Sequence, residues 1–171
     1  MRAFLAIPVA GTEALLDELR GAARDVRWVR AEGMHLTLHF WASLDESDVQ
    51  RVVGAAAAPV RAAASYRAQL GGLGSFPGVL WLGMSQGAAE TVALQRDVER
   101  ALAAAGFEVE RRSFHPHVTV GRVRGRLRSL PRVEVALPPF TVEHVHLYRS
   151  HPGPGGSRYE VIETLPLSAS R

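Results

Sequence analysis

One four-residue pattern, in which histidine is followed by any residue, threonine and an aliphatic residue, occurs twice and constrains the fold most. The first copy is His35-Leu36-Thr37-Leu38 and the second is His117-Val118-Thr119-Val120. Each copy lies in a stretch where apolar and polar residues alternate, as they do in a strand with one buried face. Histidine and threonine therefore share one face of each strand. The repetition predicts two similar halves that pack as a pseudo-symmetric pair around one cleft.

The remaining pattern alternates between strands and helices. We predict further strands at 2–7, 28–29, 66–70, 79–84, 140–148 and 159–165, with the two tetrads in strands at 34–41 and 117–123. Helices are predicted after Thr12, which would be a capping residue, from Asp45 onward with Pro59 kinking or ending the helix, and over 88–105, where Gly106 stops it. Glycine-rich segments at 71–78 and 151–157 are predicted to be a link and a mobile lid or edge turn. The order predicts one α+β domain over residues 1–171, with helices packed on antiparallel sheet.

Two absences in the composition exclude whole classes of chemistry. The 171-residue chain has no cysteine, so it has no disulfide framework, thiolate metal site or cysteine nucleophile. It has no lysine either, because all 20 basic residues are arginine. Lysine carries the nucleotide in ATP-dependent ligases and contacts the phosphates in P-loop enzymes, so neither class is expected.

Five arginines crowd into eleven residues although the net charge is only +3. Guanidinium groups pair bidentately with phosphate, so this cluster suits a polyanion such as a nucleic acid. A solvated surface loop would have the same composition, and the sequence leaves both interpretations open. The cluster comprises Arg122, Arg124, Arg126, Arg128 and Arg132.

Two imidazoles and two hydroxyls facing one cleft could hydrolyse a phosphodiester without a metal. One histidine would take a proton from the attacking water, and the other would protonate the leaving oxygen. The hydroxyls of Thr37 and Thr119 would hold the non-bridging phosphate oxygens. Imidazole suits both proton roles because its ordinary pKa, about 6.5, lies close to neutral pH.

The two tetrads resemble those of the two-histidine phosphoesterase superfamily, and within it the bacterial RNA 2′,3′-cyclic phosphodiesterases, also called the 2′-5′ RNA ligase family. The resemblance covers nearly the whole chain. Its other segments are Arg27-Trp28-Val29-Arg30, Gly74-Ser75-Phe76-Pro77, Val79-Leu80-Trp81-Leu82-Gly83, Phe114-His115-Pro116, Leu147-Tyr148-Arg149-Ser150 and Tyr159-Glu160-Val161.

The resemblance implies two lobes with a central cleft, no required cofactor, and hydrolysis of RNA 2′,3′-cyclic phosphate ends to 2′-phosphomonoesters. It implies that His35 donates a proton to the leaving 3′-oxygen and that His117 activates water, with 2′-5′ RNA ligation as the reverse reaction. Arg122 matches the family's arginine after the second tetrad. Strict alternation would turn Arg122 away from His117, whereas a bulge at Gly121 could return it to the phosphate-binding face.

Other histidines and aromatic residues are weaker candidates. His39 is in phase with His35, and His115 precedes Pro116, so both are candidate substrate contacts. For each of them the alternative is an ordinary polar residue without a role at the site. Phe76, in a predicted loop, is the preferred ring for stacking on a base, while Phe40 alternates with the core face and is predicted to be structural. His144 and His146 could form part of a zinc site, but no acidic ligand has convincing spacing, so no metal is expected.

The expected partner is RNA or an oligonucleotide with a 2′,3′-cyclic phosphate end. We expect a monomer. We also expect a cytoplasmic location, because residues 1–10 lack a basic segment followed by a long apolar one and no apolar run approaches the roughly 18 residues of a membrane span. Two alternatives stay open: a related phosphodiesterase acting on small cyclic nucleotides or 2′-5′ linked oligonucleotides, and a non-catalytic RNA-binding module.

Overall fold

The structure, a computed structural model, describes residues 1–132 and 136–169. Its strands are β1 (Ala3–Pro8), β2 (Val26–Trp28), β3 (His35–Trp41), β4 (Tyr66–Phe76), β5 (Val79–Gln86), β6 (Val118–Val123), β7 (Phe140–Val142), β8 (His144–His151) and β9 (Arg158–Pro166). Its α-helices are α1 (Glu13–Ala22), α2 (Val49–Ala62) and α3 (Ala88–Ala104). None of the helices in this part of the chain is long and apolar enough to cross a membrane.

The strands form a curled antiparallel sheet in the order β7-β4-β5-β6-β3-β1-β8-β9, and β2 adds to β6. This order is symmetric about the junction of β3 with β6. On one side β1 and β3 are neighbours separated in sequence by α1, and on the other β5 and β6 are neighbours separated by α3. The prediction of an α+β fold with two pseudo-symmetric lobes is therefore confirmed.

The helices contribute one apolar face each to a single buried cluster. Their buried positions follow helical spacing, as in Val52, Ala56 and Val60 of α2. They share the cluster with the apolar face of the central strands, which includes Leu36 and Val118. Because one face of β3 and β6 is buried in this way, the opposite face is left to line a cleft.

The start of α1 differs from the prediction, whereas the end of α2, before Ala64, agrees with it. Thr12 precedes α1, but its φ of −101° and ψ of 3° differ from the extended conformation that turns a capping hydroxyl toward the first turn. Its hydroxyl makes no capping bond and is buried without a partner in the described residues, so Thr12 is not a side-chain cap. Pro59 lies inside α2, which continues to Ala62.

The predicted glycine-rich link is mostly strand. β4 continues to Phe76, and only Pro77 and Gly78 separate it from β5. The glycine content reflects packing: a Cβ built on Gly74 would lie 2.2 Å from Cζ2 of Trp81 on the neighbouring strand. Glycine makes room there for the indole, so its presence does not mark a loop.

The predicted strand over 140–148 is two strands that change partners at Glu143. β7 pairs with β4 at one end of the sheet, whereas β8 lies between β1 and β9 at the other end. One residue cannot span a flat sheet of this width, so the sheet curls until its two ends approach each other. A local pattern of alternation could not reveal this change of partner.

Candidate active site

The two tetrads meet where β3 pairs with β6. Leu36 is opposite Val118 in this antiparallel pair. The adjacent positions therefore place His35 across from Thr119 and Thr37 across from His117. All four of these polar residues line one cleft of about 1670 Å³.

Each tetrad ends in a β-bulge at its fourth residue. On β1, Leu5 pairs with His39 and Ala6 pairs with Thr37, so Leu38 is the extra residue of β3. On β5, Leu80 pairs with Gly121 and Trp81 pairs with Thr119, so Val120 is the extra residue of β6. A bulge shifts the alternation of side chains by one position.

The bulges bring Phe40 and Arg122 onto the cleft. Each lies five positions after its histidine, and both line the same cavity as His35 and His117. Phe40 is 45% exposed, so the prediction that it faces the core was wrong. The prediction failed because strict alternation takes no account of the extra residue, Leu38.

The same shift turns His39 toward α3. Its side chain is buried, and its Nδ1 lies 2.5 Å from Oε1 of Glu99. The other carboxylate oxygen of Glu99 is buried without a partner in the described part of the chain. His39 borders the cleft, but the extra residue Leu38 turns its side chain to a different face from that of His35. The prediction that the two histidines share one face of β3 was therefore wrong.

The two catalytic candidates are held by matching hydrogen bonds. Nδ1 of His35 lies 2.7 Å from the carbonyl oxygen of Gly33, and Nδ1 of His117 lies 2.7 Å from that of His115. A carbonyl oxygen only accepts, so Nδ1 carries the proton in both rings. The neutral form of each histidine therefore presents an unprotonated Nε2, which can accept a proton.

The surroundings of His35 and His117 differ. His35 stacks on Phe4 with ring centroids 4.5 Å apart, and the edge-to-face contact with Tyr159 is 5.1 Å. Burial lowers the pKa of His35; the hydrogen bond to Gly33 opposes this shift, and the nearby charge of His117 adds to it. His117 is half-buried and meets Phe76 edge to face at 5.3 Å.

Phe76 and His115 lie on the His117 side of the cleft. Phe76 is 41% exposed at the end of β4. His115 is exposed, and its ring is 4.9 Å from that of Trp81. Both residues therefore border the space in front of His117.

Among the described residues seven arginines line the cleft, and Arg122 is the only member of the predicted cluster among these seven. Arg132 borders a separate, smaller pocket instead. Of the two interpretations left open for the cluster, the structure therefore agrees with a solvated surface loop for every member except Arg122, because the chain leaves the sheet after Val123. The other cleft arginines come from four separate segments: Arg2, Arg27, Arg30, Arg111, Arg112 and Arg158.

The cleft arginines differ from arginines elsewhere in their partners. Within residues 1–132 and 136–169, none of the seven forms an ion pair. The paired arginines, such as Arg51 with Asp48 and Arg149 with Glu46, lie outside the cleft. The unpaired guanidinium groups make the cleft suitable for a polyanionic ligand.

The remaining histidine pair lies outside the cleft. His144 and His146 on β8 stack with ring centroids 6.1 Å apart, and His146 shares a hydrogen bond with Thr164. The described residues contain no group of three or more histidine, cysteine or acidic side chains placed to hold a metal ion.

Sequence reasoning assigned no role to Phe4 and Tyr159, two of the rings that contact His35. Phe4 is on β1 and Tyr159 is on β9, far apart in sequence. Their only signal was an aromatic residue in a predicted strand, which is also typical of an ordinary core. The pairing of β1 with both β3 and β8 brings these rings together.

Curated relatives of similar sequence share one name. The chain is 36% identical over 122 residues to the RNA 2′,3′-cyclic phosphodiesterase of Aeropyrum pernix, covering 68% of each chain. It is 30% identical over 187 residues to that of Methanothermobacter thermautotrophicus, covering 98% of this chain and 99% of the relative.

Solved structures show the same fold. The crystal structure of TT0787 of Thermus thermophilus has a TM-score of 0.83 and 26% identity over the whole of both chains. That of E. coli LigT complexed with 3′-AMP has a TM-score of 0.83 and 25% identity over 97% of both. At the level of sequence, the family model of the 2′-5′ RNA ligase superfamily matches residues 8–154. The chain belongs to the 2′-5′ RNA ligase superfamily.

Proposed function

We propose that this chain hydrolyses the 2′,3′-cyclic phosphate ends of RNA to 2′-phosphomonoesters, using His35 and His117 and no metal. The observation that carries the proposal is the matched pair of Nδ1 hydrogen bonds, which leaves both Nε2 atoms for proton transfer in one cleft. The relatives named RNA 2′,3′-cyclic phosphodiesterase support the choice of substrate.

In the proposed reaction the two histidines have opposite roles. Nε2 of His117 takes a proton from water as the water oxygen attacks phosphorus. The bond from phosphorus to O3′ breaks, and protonated His35 gives its Nε2 proton to that oxygen. Each acid or base contributes roughly 10²- to 10⁴-fold to the rate. Thr37, Thr119 and Arg122 hold the non-bridging oxygens as negative charge develops.

The lowered pKa of His35 places a condition on its role as the acid. In the free protein the neutral imidazole is favoured, because burial and the charge of His117 disfavour the imidazolium. A cyclic phosphate brings a negative charge close to His35, which favours the protonated form. We propose that His35 takes up its proton together with the substrate.

Ligation of RNA ends would follow the same path as hydrolysis with a different nucleophile. A 5′-hydroxyl replaces water as the nucleophile, the O3′ bond breaks, and the product contains a 2′-5′ phosphodiester. The same two histidines exchange the same protons, so neither lysine nor a nucleotide triphosphate is required. All of the proposed groups come from one chain, so the site is complete in a monomer.

The test is hydrolysis of a short RNA ending in a 2′,3′-cyclic phosphate, measured with EDTA present. We expect the protein to yield a 2′-phosphate and His35→Ala and His117→Ala to lose at least about 100-fold in kcat. His144→Ala is the matched control because His144 is exposed and outside the cleft. Activity that disappears with EDTA, or that survives either cleft substitution, would overturn the proposal. A 3′-phosphate product would mean that the two histidines have the opposite roles, with His117 as the proton donor and His35 as the base.

A further inference from the structure

Arg27 and Arg122 form a pair of like charges across two neighbouring strands. Arg27 of β2 lies directly opposite Arg122 of β6 in the antiparallel register, and both side chains line the cleft. Like charges directly opposite each other destabilise a sheet. Of the acidic residues nearby, Glu160 pairs with His151, and Glu32 forms no ion pair with either arginine among the described residues. The fold therefore holds two cations together without neutralising them, which is typical of a site for an anion.

A third guanidinium group lies close to this pair, at the loop between β8 and β9. A Cβ built on Gly156 would lie 3.4 Å from Nη2 of Arg27, and one built on Gly155 would lie 3.8 Å from Nη2 of Arg30. Consecutive loop residues therefore approach the two guanidinium groups, which places both groups at the tip of this loop. The loop is closed by a hydrogen bond from the amide of Gly156 to the carbonyl oxygen of Gly153.

We propose that Arg27 and Arg30 bind a second phosphate of the nucleic-acid substrate, one nucleotide away from the phosphate that reacts. This inference rests on the proposed function, which places the reacting phosphate between His35 and His117. The second phosphate is either the one at the 5′ position of the terminal nucleotide or the first one of a strand that is joined to it. Both sources present non-bridging oxygens that a guanidinium group binds.

The distance along the sheet fits two consecutive phosphates. On β5, Trp81 pairs with Thr119 and Val79 pairs with Arg122. Strands rise about 3.3 Å per residue, so the level of Arg27 and Arg122 is about 7 Å from that of Thr119. Consecutive phosphates of a single RNA strand are separated by a similar length. Arg122 can therefore hold the reacting phosphate together with Thr119 while the neighbouring phosphate reaches Arg27.

The chemistry of arginine suits this second contact. A guanidinium fork donates two parallel hydrogen bonds to one phosphate, which the point charge of a lysine does not. The loop restricts the positions of both guanidinium groups before a ligand arrives, and this reduces the cost of ordering them on binding. Because Arg27 is one of two opposed like charges, its removal should weaken phosphate binding without weakening the fold.

The first test uses two ligands that differ by one phosphate, adenosine 2′-phosphate and adenosine 2′,5′-bisphosphate. Calorimetry with the unaltered protein should show at least about ten-fold tighter binding of the bisphosphate. We expect Arg27→Ala and Arg30→Ala to remove most of this preference and to leave the affinity for the monophosphate unchanged. Arg27→Lys should restore part of the preference, because it keeps the charge without the fork. Arg67→Ala is the control, because Arg67 is on β4 outside the cleft and donates to Thr141.

The second test concerns the strand that would be joined. The protein is saturated with adenosine 2′-phosphate and then titrated with adenosine or with the dinucleotide ApA, which has a free 5′-hydroxyl and one phosphate. A preference for ApA that depends on Arg27, with a bisphosphate preference that does not, would assign the second phosphate to the joined strand. The reverse result would assign it to the terminal nucleotide.

Two results would overturn the second phosphate site. Equal losses of affinity for the monophosphate and the bisphosphate in Arg27→Ala would mean that Arg27 acts on the reacting phosphate. Unchanged preferences in both pairs of ligands would mean that Arg27 and Arg30 contact no phosphate. Both tests measure binding alone, so they decide on the site even if the protein hydrolyses no cyclic phosphate. We expect the urea midpoint of unliganded Arg27→Ala to equal or exceed that of the unaltered protein, which separates a loss of binding from a loss of fold.

Discussion

Leu36 on β3 lies directly opposite Val118 on β6, so the second residues of the two tetrads form one antiparallel pair. This pair lies on the local axis that relates the two halves. It places the histidine of each tetrad beside the threonine of the other. A shift of one strand by one residue in this register would turn the histidine and threonine of that strand to the face opposite those of its partner.

The threonine hydroxyls should matter for the rate more than for the fold. Thr37→Val and Thr119→Val keep the shape and strand preference of the side chain but remove the hydroxyl. We expect each to lower kcat by about 10²-fold, as for the loss of one donor to a developing negative charge. Thr141→Val on β7, outside the cleft, should leave kcat unchanged. Wild-type rates in both cleft variants would remove the hydroxyls from the mechanism.

The pKa of His35 should respond to its neighbour. Burial lowers this pKa below the ordinary 6.5, and the charge of His117 lowers it further. We therefore expect His117→Asn, which removes that charge, to raise the pKa of His35. NMR titration of the His35 Cε1–H signal measures the shift, and His144→Ala serves as the control. A pKa of His35 that is unaffected by His117→Asn would mean that the two rings do not interact.

The same shift predicts sensitivity to acid. The folded protein has the lower pKa, so the unfolded chain binds the proton more readily. The stability that neutral His35 contributes is present above pH 6.5 and is lost as the pH falls through the folded pKa. His35→Asn should therefore lose less unfolding free energy than the unaltered protein between pH 7 and 5. Urea unfolding at both values measures the difference, and equal losses would contradict the prediction.

Two glycine substitutions should have opposite effects on stability. Gly74→Ala would place a Cβ 2.2 Å from the Trp81 ring, and such overpacking costs roughly 1–3 kcal/mol. Gly54 is exposed on α2 with open space around it, so Gly54→Ala should add about 0.5–1 kcal/mol. Denaturant midpoints measure both. An unchanged free energy of unfolding in Gly74→Ala would mean that Trp81 moves freely away from β4.

Binding of RNA should depend on salt through the cleft arginines. Each arginine that neutralises a phosphate of single-stranded RNA contributes about 0.7 to the slope of log affinity against log salt. Arg122→Ala should therefore reduce that slope by roughly this amount. Arg20→Ala is the control, since Arg20 is on α1 and pairs with Asp17. Equal slopes for all three proteins would mean that Arg122 contacts no phosphate.

Short-range patterns were enough to predict most of the elements and the central chemistry. Period-two alternation identified the strands that carry His35 and His117, and the repeated tetrad predicted that the two halves converge. Alternation and helical spacing depend on which side of an element is buried, and this is visible in a few neighbouring residues. Phe76 and His115, chosen from a predicted loop and from the position before Pro116, also border the cleft, although Phe76 ends β4 and does not lie in a loop.

The tertiary structure decided which side chains join the tetrads. The bulges at Leu38 and Val120 exist because the partner strands β1 and β5 offer one residue fewer, and a partner strand is not visible in a local pattern. Those bulges turn Phe40 and Arg122 into the cleft and His39 toward Glu99. The sequence by itself therefore determined which two strands present His35 and His117 to one cleft, whereas the pairing of distant strands determined which other side chains line that cleft.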